Sequence, residues 1–509
     1  MEKRLFLAIA LSLLVLLAWS ALFPKSQPIV NKAVKQESPH FISSPPPFSP
    51  SSYQKPSPNT LKKLKISNRE VVFSTDQACI NTITFLSYQS YSFSLKEGLL
   101  LEGLEPLFQE EDSSDPQEVT FAYRDQDKSI IKRFKFLNSN YDLWLYIEVR
   151  NLIGSPLKFS PALILGALNF SDHDRSRFLD VAWENEQQVT HTSGRKEMSI
   201  DNAKWAAFRD RYFCSIVQPN QIDNSVFIRR TSASESRVGI KTKEIVLLPG
   251  EKIEIKFHIY LGPQDLKSIS RINPQWVPVV YYGKLDLIAQ VLWQTLEFLY
   301  RLVKNWGLAI VFLSLLIYFL LYPFTLKQMR SMKEMQALQP RIEELRKVYK
   351  DNPQKLNKEI MELYRAHKVN PFGGCLPLIL QLPIFFALYQ VLMRAVALKG
   401  APFLWIKDLS EPDRLMIFKN LPSTFPIMGN EFNLLPILMS MIMFLQQKST
   451  LATSPSSGSQ EQQKIMMVIF PLLFGIMFYR MPSGLVLYWL INSSLTFFYQ
   501  WHIRPKHGA

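Results

Sequence analysis

Little in this chain resembles the equipment of an enzyme. Its seven histidines are scattered, with no HExxH spacing, no paired-cysteine metal site and no glycine-rich phosphate loop. No catalytic residue, cofactor or metal is therefore expected. Asp172-His173-Asp174 is the one dense ligand-like cluster, and it reads as a polar loop. Cysteine is equally sparse: Cys79, Cys214 and Cys375 lie too far apart for a disulfide framework or a zinc motif. Cys79 and Cys214 fall in one segment and read as two buried thiols, with pairing between them as the alternative. Cys375 reads as packing.

Charge is missing from a set of long apolar runs. Residues 5–23, 306–325, 372–393, 432–447, 465–479 and 482–501 carry no Asp, Glu, Lys, Arg or His. A run of roughly 18 or more such residues matches the thickness of a bilayer. Six membrane spans are expected, the fourth and fifth short enough to imply local thinning or water around them. The first run follows Lys3 and Arg4 and ends on Trp19, Leu22 and Phe23 rather than on a small-x-small cleavage site, which favours a retained anchor over a cleaved signal. Mid-membrane charges mark ion-coupled transporters and pumps. Their absence weighs against that class.

What is present falls into blocks. Residues 24–60 hold nine prolines and eight serines, the composition of a flexible tether. Residues 61–283 change to period-two runs. Leu143, Leu145, Ile147 and Val149 form one run, and Ile253, Ile255, Phe257 and Ile259 another. These are half-buried strands of a β-sandwich, with a hairpin expected at Pro249-Gly250-Glu251. Over 284–304, Leu285, Ile288, Leu292, Leu296, Leu299 and Val303 recur at helical spacing, predicting an amphipathic helix on the membrane surface. Between the second and third spans, residues 327–368 carry 11 Lys or Arg and 6 Asp or Glu, so 11 − 6 = +5. Met335, Leu338, Ile342, Leu345 and Tyr349, then Leu356, Ile360 and Leu363, flank Asp351-Asn352-Pro353 and predict a helical hairpin.

The formal charge of +15 is read as a topology signal rather than as nucleic-acid binding. With the basic hairpin in the cytoplasm, both termini lie inside, including the short basic tail 502–509, and the sandwich lies outside. The polar content of the spans is neutral: Ser314, Tyr318, Gln381, Gln390, Gln446, Gln447, Asn492, Ser493 and Ser494. Singly, such residues bond to neighbouring helices. Together they offer a wet groove that would hold the polar part of an incoming segment and lower the cost of taking unpaired groups into hydrocarbon.

Several motifs carry a family resemblance. Lys368-Val369-Asn370-Pro371-Phe372-Gly373-Gly374-Cys375-Leu376-Pro377, Gln336 to Pro340, Ala401 to Leu409, Gln462 to Met467 and Pro482 to Trp489 closely resemble, in order and spacing, the YidC insertases. Trp205 to Phe213 and Tyr260-Leu261-Gly262-Pro263 resemble landmarks of the large periplasmic sandwich in Gram-negative members. The resemblance implies an inner-membrane insertase and chaperone for nascent membrane proteins, working alone or beside the Sec translocon. It further implies a groove made by five spans.

Two positions depart from the family. Tyr318 stands five residues before Pro323, where a groove arginine is usual, so a neutral groove of Ser314, Tyr318, Gln381, Gln446, Gln447, Trp489 and Asn492 is expected. The tail is short, which shifts any ribosome or targeting-factor contact to the basic hairpin. A transporter or channel is the alternative, although no repeated halves are found. A sugar-binding role for the sandwich rests on fold analogy alone.

Overall fold

Period-two alternation organises the first half of the chain. In the computed structural model, which describes residues 61–104, 108–113, 115–137, 141–186, 188–220, 224–350, 352–367, 369, 376–418, 430–453 and 460–502, Leu143, Leu145, Ile147 and Val149 are fully buried, as are Ile255 and Ile259. The anchor expected at 1–23, the tether at 24–60, Cys375 and the tail after His502 lie outside the described residues. Asp142–Asn151 pairs antiparallel with Lys252–Pro263, at the centre of a nine-stranded sheet. Its order runs Gln188–Thr192, Asp180–Asn185, Ala203–Arg209, Phe213–Pro219, Lys252–Pro263, Asp142–Asn151, Lys128–Phe136, Glu118–Arg124, Gln109–Glu111. A five-stranded sheet and a four-stranded meander, the latter from Leu61–Ile66 to Tyr91–Gly98, contribute to the same hydrophobic core.

The expected hairpin at Pro249-Gly250-Glu251 is not formed. The turn exists, with Gly250 at φ +77° and the Glu251 N–H donating to the Leu248 carbonyl at 3.0 Å. Its two arms enter different sheets: Ile245–Leu247 pairs with Leu157–Phe159, whereas both edges of Lys252–Pro263 are taken by longer partners. A three-residue strand offers too few ladder bonds to displace either. Asn151 fixes the corner, its Nδ2 donating to the Leu247 carbonyl at 3.0 Å and to the Ser155 carbonyl at 2.8 Å.

The nine-stranded sheet is covered on both faces near its middle. Phe208, Phe213, Val217 and Leu261 point into the sandwich core, while Trp205, Ala207, Cys214, Ile216 and Tyr260 pack against Trp276, Val279, Tyr282 and the helices that follow. This is why Ala203–Arg209 and Phe213–Pro219 read as nearly unbroken apolar runs. Cys79 and Cys214 are both buried and free.

Ten helices are labelled here in chain order: α1 His173–Ser176, α2 Leu266–Ile272, α3 Asp286–Val303, α4 Trp306–Ala337, α5 Gln339–Val348, α6 Pro353–Ala366, α7 Leu376–Arg394, α8 Leu434–Thr453, α9 Gln460–Phe478 and α10 Ser483–His502. Asp172-His173-Asp174 opens the one-turn α1, and the described residues hold no cluster of three metal-ligating side chains.

Helix α3 differs from its expected role. Leu292 and Leu296, centred in the stripe predicted to rest on the membrane, are buried against the protein. A second apolar strip, Leu287, Val291, Phe298 and Leu302, points outward, with Leu287 79% exposed. A helix apolar on two sides gives a periodicity that identifies a stripe without saying which partner covers it.

Helix α4 continues well past the predicted end of its span at 325. Its 32 residues extend about 48 Å at 1.5 Å per residue, more than the roughly 30 Å of hydrocarbon. Among the described residues, one stretch is long and apolar enough to cross a membrane, Trp306–Lys327, with mean hydropathy 2.3; Leu434–Lys448 and Met467–Phe478 are shorter apolar helices. Helices α8 and α9 span 20 and 19 residues, so the apolar stretches are short but the helices are not.

The charged segment after α4 folds back as α5 and α6. Leu338, Ile342 and Val369 are buried together, with Met335, Ile360, Leu363 and Tyr364 packed on them. Asn352 caps α6, accepting the Lys355 N–H at 3.1 Å, and Pro353 stands in its first turn, where a missing donor costs nothing.

Candidate functional site: the polar face of the helical core

The helices divide their surfaces in a way that water would not favour. On α4, Leu308, Phe312, Leu316, Phe319, Leu320 and Phe324 are exposed, and Leu320 is 70% accessible. Ile310, Leu313, Ser314, Ile317 and Tyr318 face inward. Helix α9 shows Val468, Ile469, Leu472, Leu473, Ile476 and Met477 outward in the same way. An apolar belt of this extent on one side of several helices suits hydrocarbon as solvent.

Inside, the seven expected site residues fall into separate groups. Gln381 on α7 and Asn492 on α10 meet at a residue that the sequence reading did not single out, Tyr488. The Gln381 amide donates to the Tyr488 hydroxyl, and Asn492 Nδ2 donates to the same oxygen at 3.2 Å. Tyr488 is fully buried. It lies four residues before Asn492 on the same helix face, and that spacing was the available signal.

Tyr318 belongs to a second group. Its ring lies 6.4 Å from Tyr322, and Tyr322 in turn donates to the Tyr499 hydroxyl at 3.4 Å. The Tyr318 hydroxyl is buried with no protein partner. Trp489 sits in an aromatic group, 5.0 Å from Phe385, 5.5 Å from Phe474 and 5.6 Å from Phe478 between ring centroids. Its indole Nε1 is likewise buried without a partner. A buried donor left unpaired carries a desolvation cost of about 1–3 kcal/mol, so each is a place for water or for a polar group of a guest chain.

Ser314 takes no part in either group. Its hydroxyl donates to the Ile310 carbonyl of its own helix at 2.7 Å, a local bond that masks its polarity. Gln446 and Gln447 are half-buried near the far end of α8, beside exposed Lys448. They lie apart from both the Tyr488 cluster and the Tyr318 group.

A network between the sandwich and the helices holds the core in place. Arg209 Nε donates to Asp180 Oδ2 at 2.5 Å, and the same oxygen lies 2.9 Å from His191 Nδ1. Arg209 Nη1 donates to the Val279 carbonyl at 2.7 Å, fixing the turn that leads into α3. Burial alone would raise the Asp180 carboxyl, but Arg209, with help from His191 and Arg394, outweighs it and holds the group below the usual carboxylate range. Arg211 Nε donates to the Met393 carbonyl at the end of α7 at 2.7 Å, and its Nη2 to the Ser410 carbonyl at 3.0 Å. Lys399 pairs with both Asp408 and Glu411 at 3.3 Å, closing the loop beneath.

Close approach of the helices relies on small residues. A Cβ placed on Gly475 of α9 would lie 2.3 Å from Ser440 Oγ of α8, and one on Gly307 would lie 2.0 Å from the Phe403 ring.

Comparison with known proteins follows the same division of the chain. Residues 298–508 match the family described as 60Kd inner membrane protein, and residues 104–295 match the YidC periplasmic domain. A membrane protein insertase YidC of Pelobacter propionicus is 30% identical over 558 aligned residues, covering 99% of each chain. One from Geotalea uraniireducens is 31% identical over 562, again covering 99% of each. A solved structure, an active YidC insertase with its first transmembrane domain resolved, shares 20% identity. It covers 87% of this chain and 92% of that one, with a TM-score of 0.41.

Proposed function

Because this chain belongs to the YidC membrane protein insertase family, we propose that it inserts nascent membrane proteins into the inner membrane through a neutral groove among α4, α7, α8, α9 and α10. The β-rich domain is periplasmic and the helices follow it. Insertion itself requires no covalent step. A polar segment crossing hydrocarbon is opposed by the several-kcal/mol cost of each unpaired backbone group, and a groove with donors to offer lowers that barrier.

The single observation that carries the groove is the pair of buried, unpartnered donors, Tyr318 hydroxyl and Trp489 Nε1, behind a lipid-facing apolar belt. Tyr318 supplies a hydrogen bond where a fixed cation would supply an attraction, so selection among substrate tails by charge is weak. The Gln381–Tyr488–Asn492 cluster ties α7 to α10 and keeps the groove open. In this reading six spans cross the bilayer, residues 61–283 form the periplasmic domain, the hairpin at 327–368 and both termini are cytoplasmic, and the Sec translocon is a partner. The basic hairpin is the contact for ribosomes or targeting factors.

The test is complementation of a strain depleted of its own insertase, paired with protease protection of a short single-span substrate. Rescue with a protected substrate is the expected result. Unchanged insertion by Tyr318→Phe combined with Trp489→Phe would overturn the groove assignment, and correct membrane localisation without rescue would overturn the insertase reading for this chain.

A further inference from the structure

Two turns between α7 and α8 carry apolar side chains that the protein leaves open. Leu404 is 74% exposed. It sits in a two-residue turn closed by a reciprocal pair of bonds, the Phe403 N–H to the Ile406 carbonyl and the Ile406 N–H to the Phe403 carbonyl, each at 2.9 Å. Its φ is +52°, a region where glycine or asparagine is usual and leucine is disfavoured. The second turn is a ribbon in which Met416–Ile417 pairs antiparallel with Glu431–Phe432. Leu415, Met416, Ile417 and Phe418 are all exposed. Successive strand residues point to opposite faces, so with Met416 and Ile417 both exposed, neither face of this arm is covered among the described residues. The Phe418 N–H donates to the Asn430 carbonyl at 2.8 Å, which keeps those backbone groups paired in an apolar setting.

Both turns grow from one base. Asp413 Oδ2 accepts the Trp405 indole N–H at 3.1 Å and the N–H groups of Leu434 and Leu435, which open α8, at 2.9 and 3.1 Å. The Leu409 carbonyl accepts the Gly484 N–H of α10 at 2.9 Å, and Phe403 packs on Gly307 at the start of α4. The turns are thus held where the apolar stretches Trp306–Lys327 and Leu434–Lys448 begin. Trp306 stacks on Tyr300 at 4.0 Å and on Trp293 at 5.6 Å between ring centroids, and such aromatic residues gather where lipid headgroups meet acyl chains. The base is also charged. Arg414 Nε lies 2.8 Å from Glu431 Oε1, and Lys407 is exposed beside the first turn.

We propose that Leu404 and Leu415 to Phe418 form a paired wedge set into the periplasmic leaflet, with the boundary between headgroups and acyl chains as its partner. Apolar tips on a charged and aromatic base are the arrangement of an interfacial anchor. The inference rests on the reading of α4, α8 and α10 as membrane spans, and it goes beyond that reading by assigning lipid contact to the loop between α7 and α8. Because one base ties the wedge to the starts of all three helices, the wedge registers them together against the leaflet.

The test uses the full-length protein in phosphatidylcholine nanodiscs, with a spin-labelled amino acid placed singly at position 404, 417, 320 or 248. Collisions are measured with oxygen, which partitions into lipid, and with a nickel chelate, which stays in water. Leu320, 70% exposed on the apolar belt, is the lipid reference. Leu248, 60% exposed just before the end of Lys252–Pro263 that lies away from the helices, is the water reference. Labels at 404 and 417 should favour oxygen and lie about 5–10 Å below the headgroup boundary. Nickel access at 404 and 417 equal to that at 248, with 320 in lipid, would overturn the wedge alone. Nickel access at 320 as well would overturn the spanning reading with it. Shielding of 404 and 417 from both reagents would mean that a protein surface, such as a second copy, covers the turns, and would overturn the assignment to lipid.

Discussion

Replacing Tyr488 with phenylalanine removes one oxygen and strands two amides. In the folded protein Gln381 and Asn492 both donate to that hydroxyl, which is fully buried and out of reach of water. Hydrogen bonds between membrane helices average about 0.6 kcal/mol and reach about 1.7. Losing two therefore costs about 1–3 kcal/mol. The Gln381 bond joins α7 to α10, whereas the Asn492 bond lies within α10, so only the first ties the helices together.

A double-mutant cycle separates them. Tyr488→Phe, Gln381→Leu and the double variant would be followed by reversible unfolding in mixed micelles, alongside insertion of a single-span substrate. The expected coupling between the two positions is about 0.6–1.7 kcal/mol, with insertion falling in step. A coupling of zero within error, or full insertion by Tyr488→Phe, would refute the idea that this cluster holds the groove.

Three further outcomes are expected. Asp180→Asn leaves Arg209 buried and uncompensated and should destabilise the junction by about 3–5 kcal/mol, read by thermal unfolding. In the parent, Asp180 titrates below its unfolded value, so its contribution is complete above about pH 4 and is lost as pH falls through the folded pKa. Lys132 is fully buried, donating to the Ala78 and Leu99 carbonyls at 2.5 and 2.6 Å, and burial lowers its pKa to about 7, partly countered by Cys79. Between pH 7 and the unfolded lysine value the unfolded chain binds more protons, so stability should rise with pH over that window; Lys132→Met should flatten the slope in pH-dependent denaturation. Gly475→Leu should force α8 and α9 apart, costing about 1–3 kcal/mol and appearing as faster proteolysis of the reconstituted protein.

Much of this architecture was legible because membranes and sheets impose simple periods. The alternation at Leu143 to Val149 located a central strand, and uncharged runs located helices, because lipid tolerates no exposed backbone. The sequence was less informative where two partners compete for one surface. Helix α3 carries two apolar strips, and only packing shows that Leu292 and Leu296 face the protein. The turn at Gly250 was visible, but not that both edges of Lys252–Pro263 were already taken. Within the site, Gln381 and Asn492 were found as isolated polar residues. Tyr488 was hidden because a tyrosine in an apolar helix looks like packing until its hydroxyl is seen to receive two amides. Ser314 misled in the opposite sense, since a hydroxyl bonded to its own helix shows polarity in sequence and almost none in space.

Substrates are expected to pass the Tyr318 side of α4 rather than its exposed apolar side, where Leu320 lies. Photo-crosslinkers placed at position 318 and, as a control, at Leu320, 70% exposed on the opposite belt, would report which side an arrested single-span substrate touches. Substrate crosslinks are expected from 318 and lipid adducts from 320. Substrate crosslinks from 320 with none from 318 would contradict it.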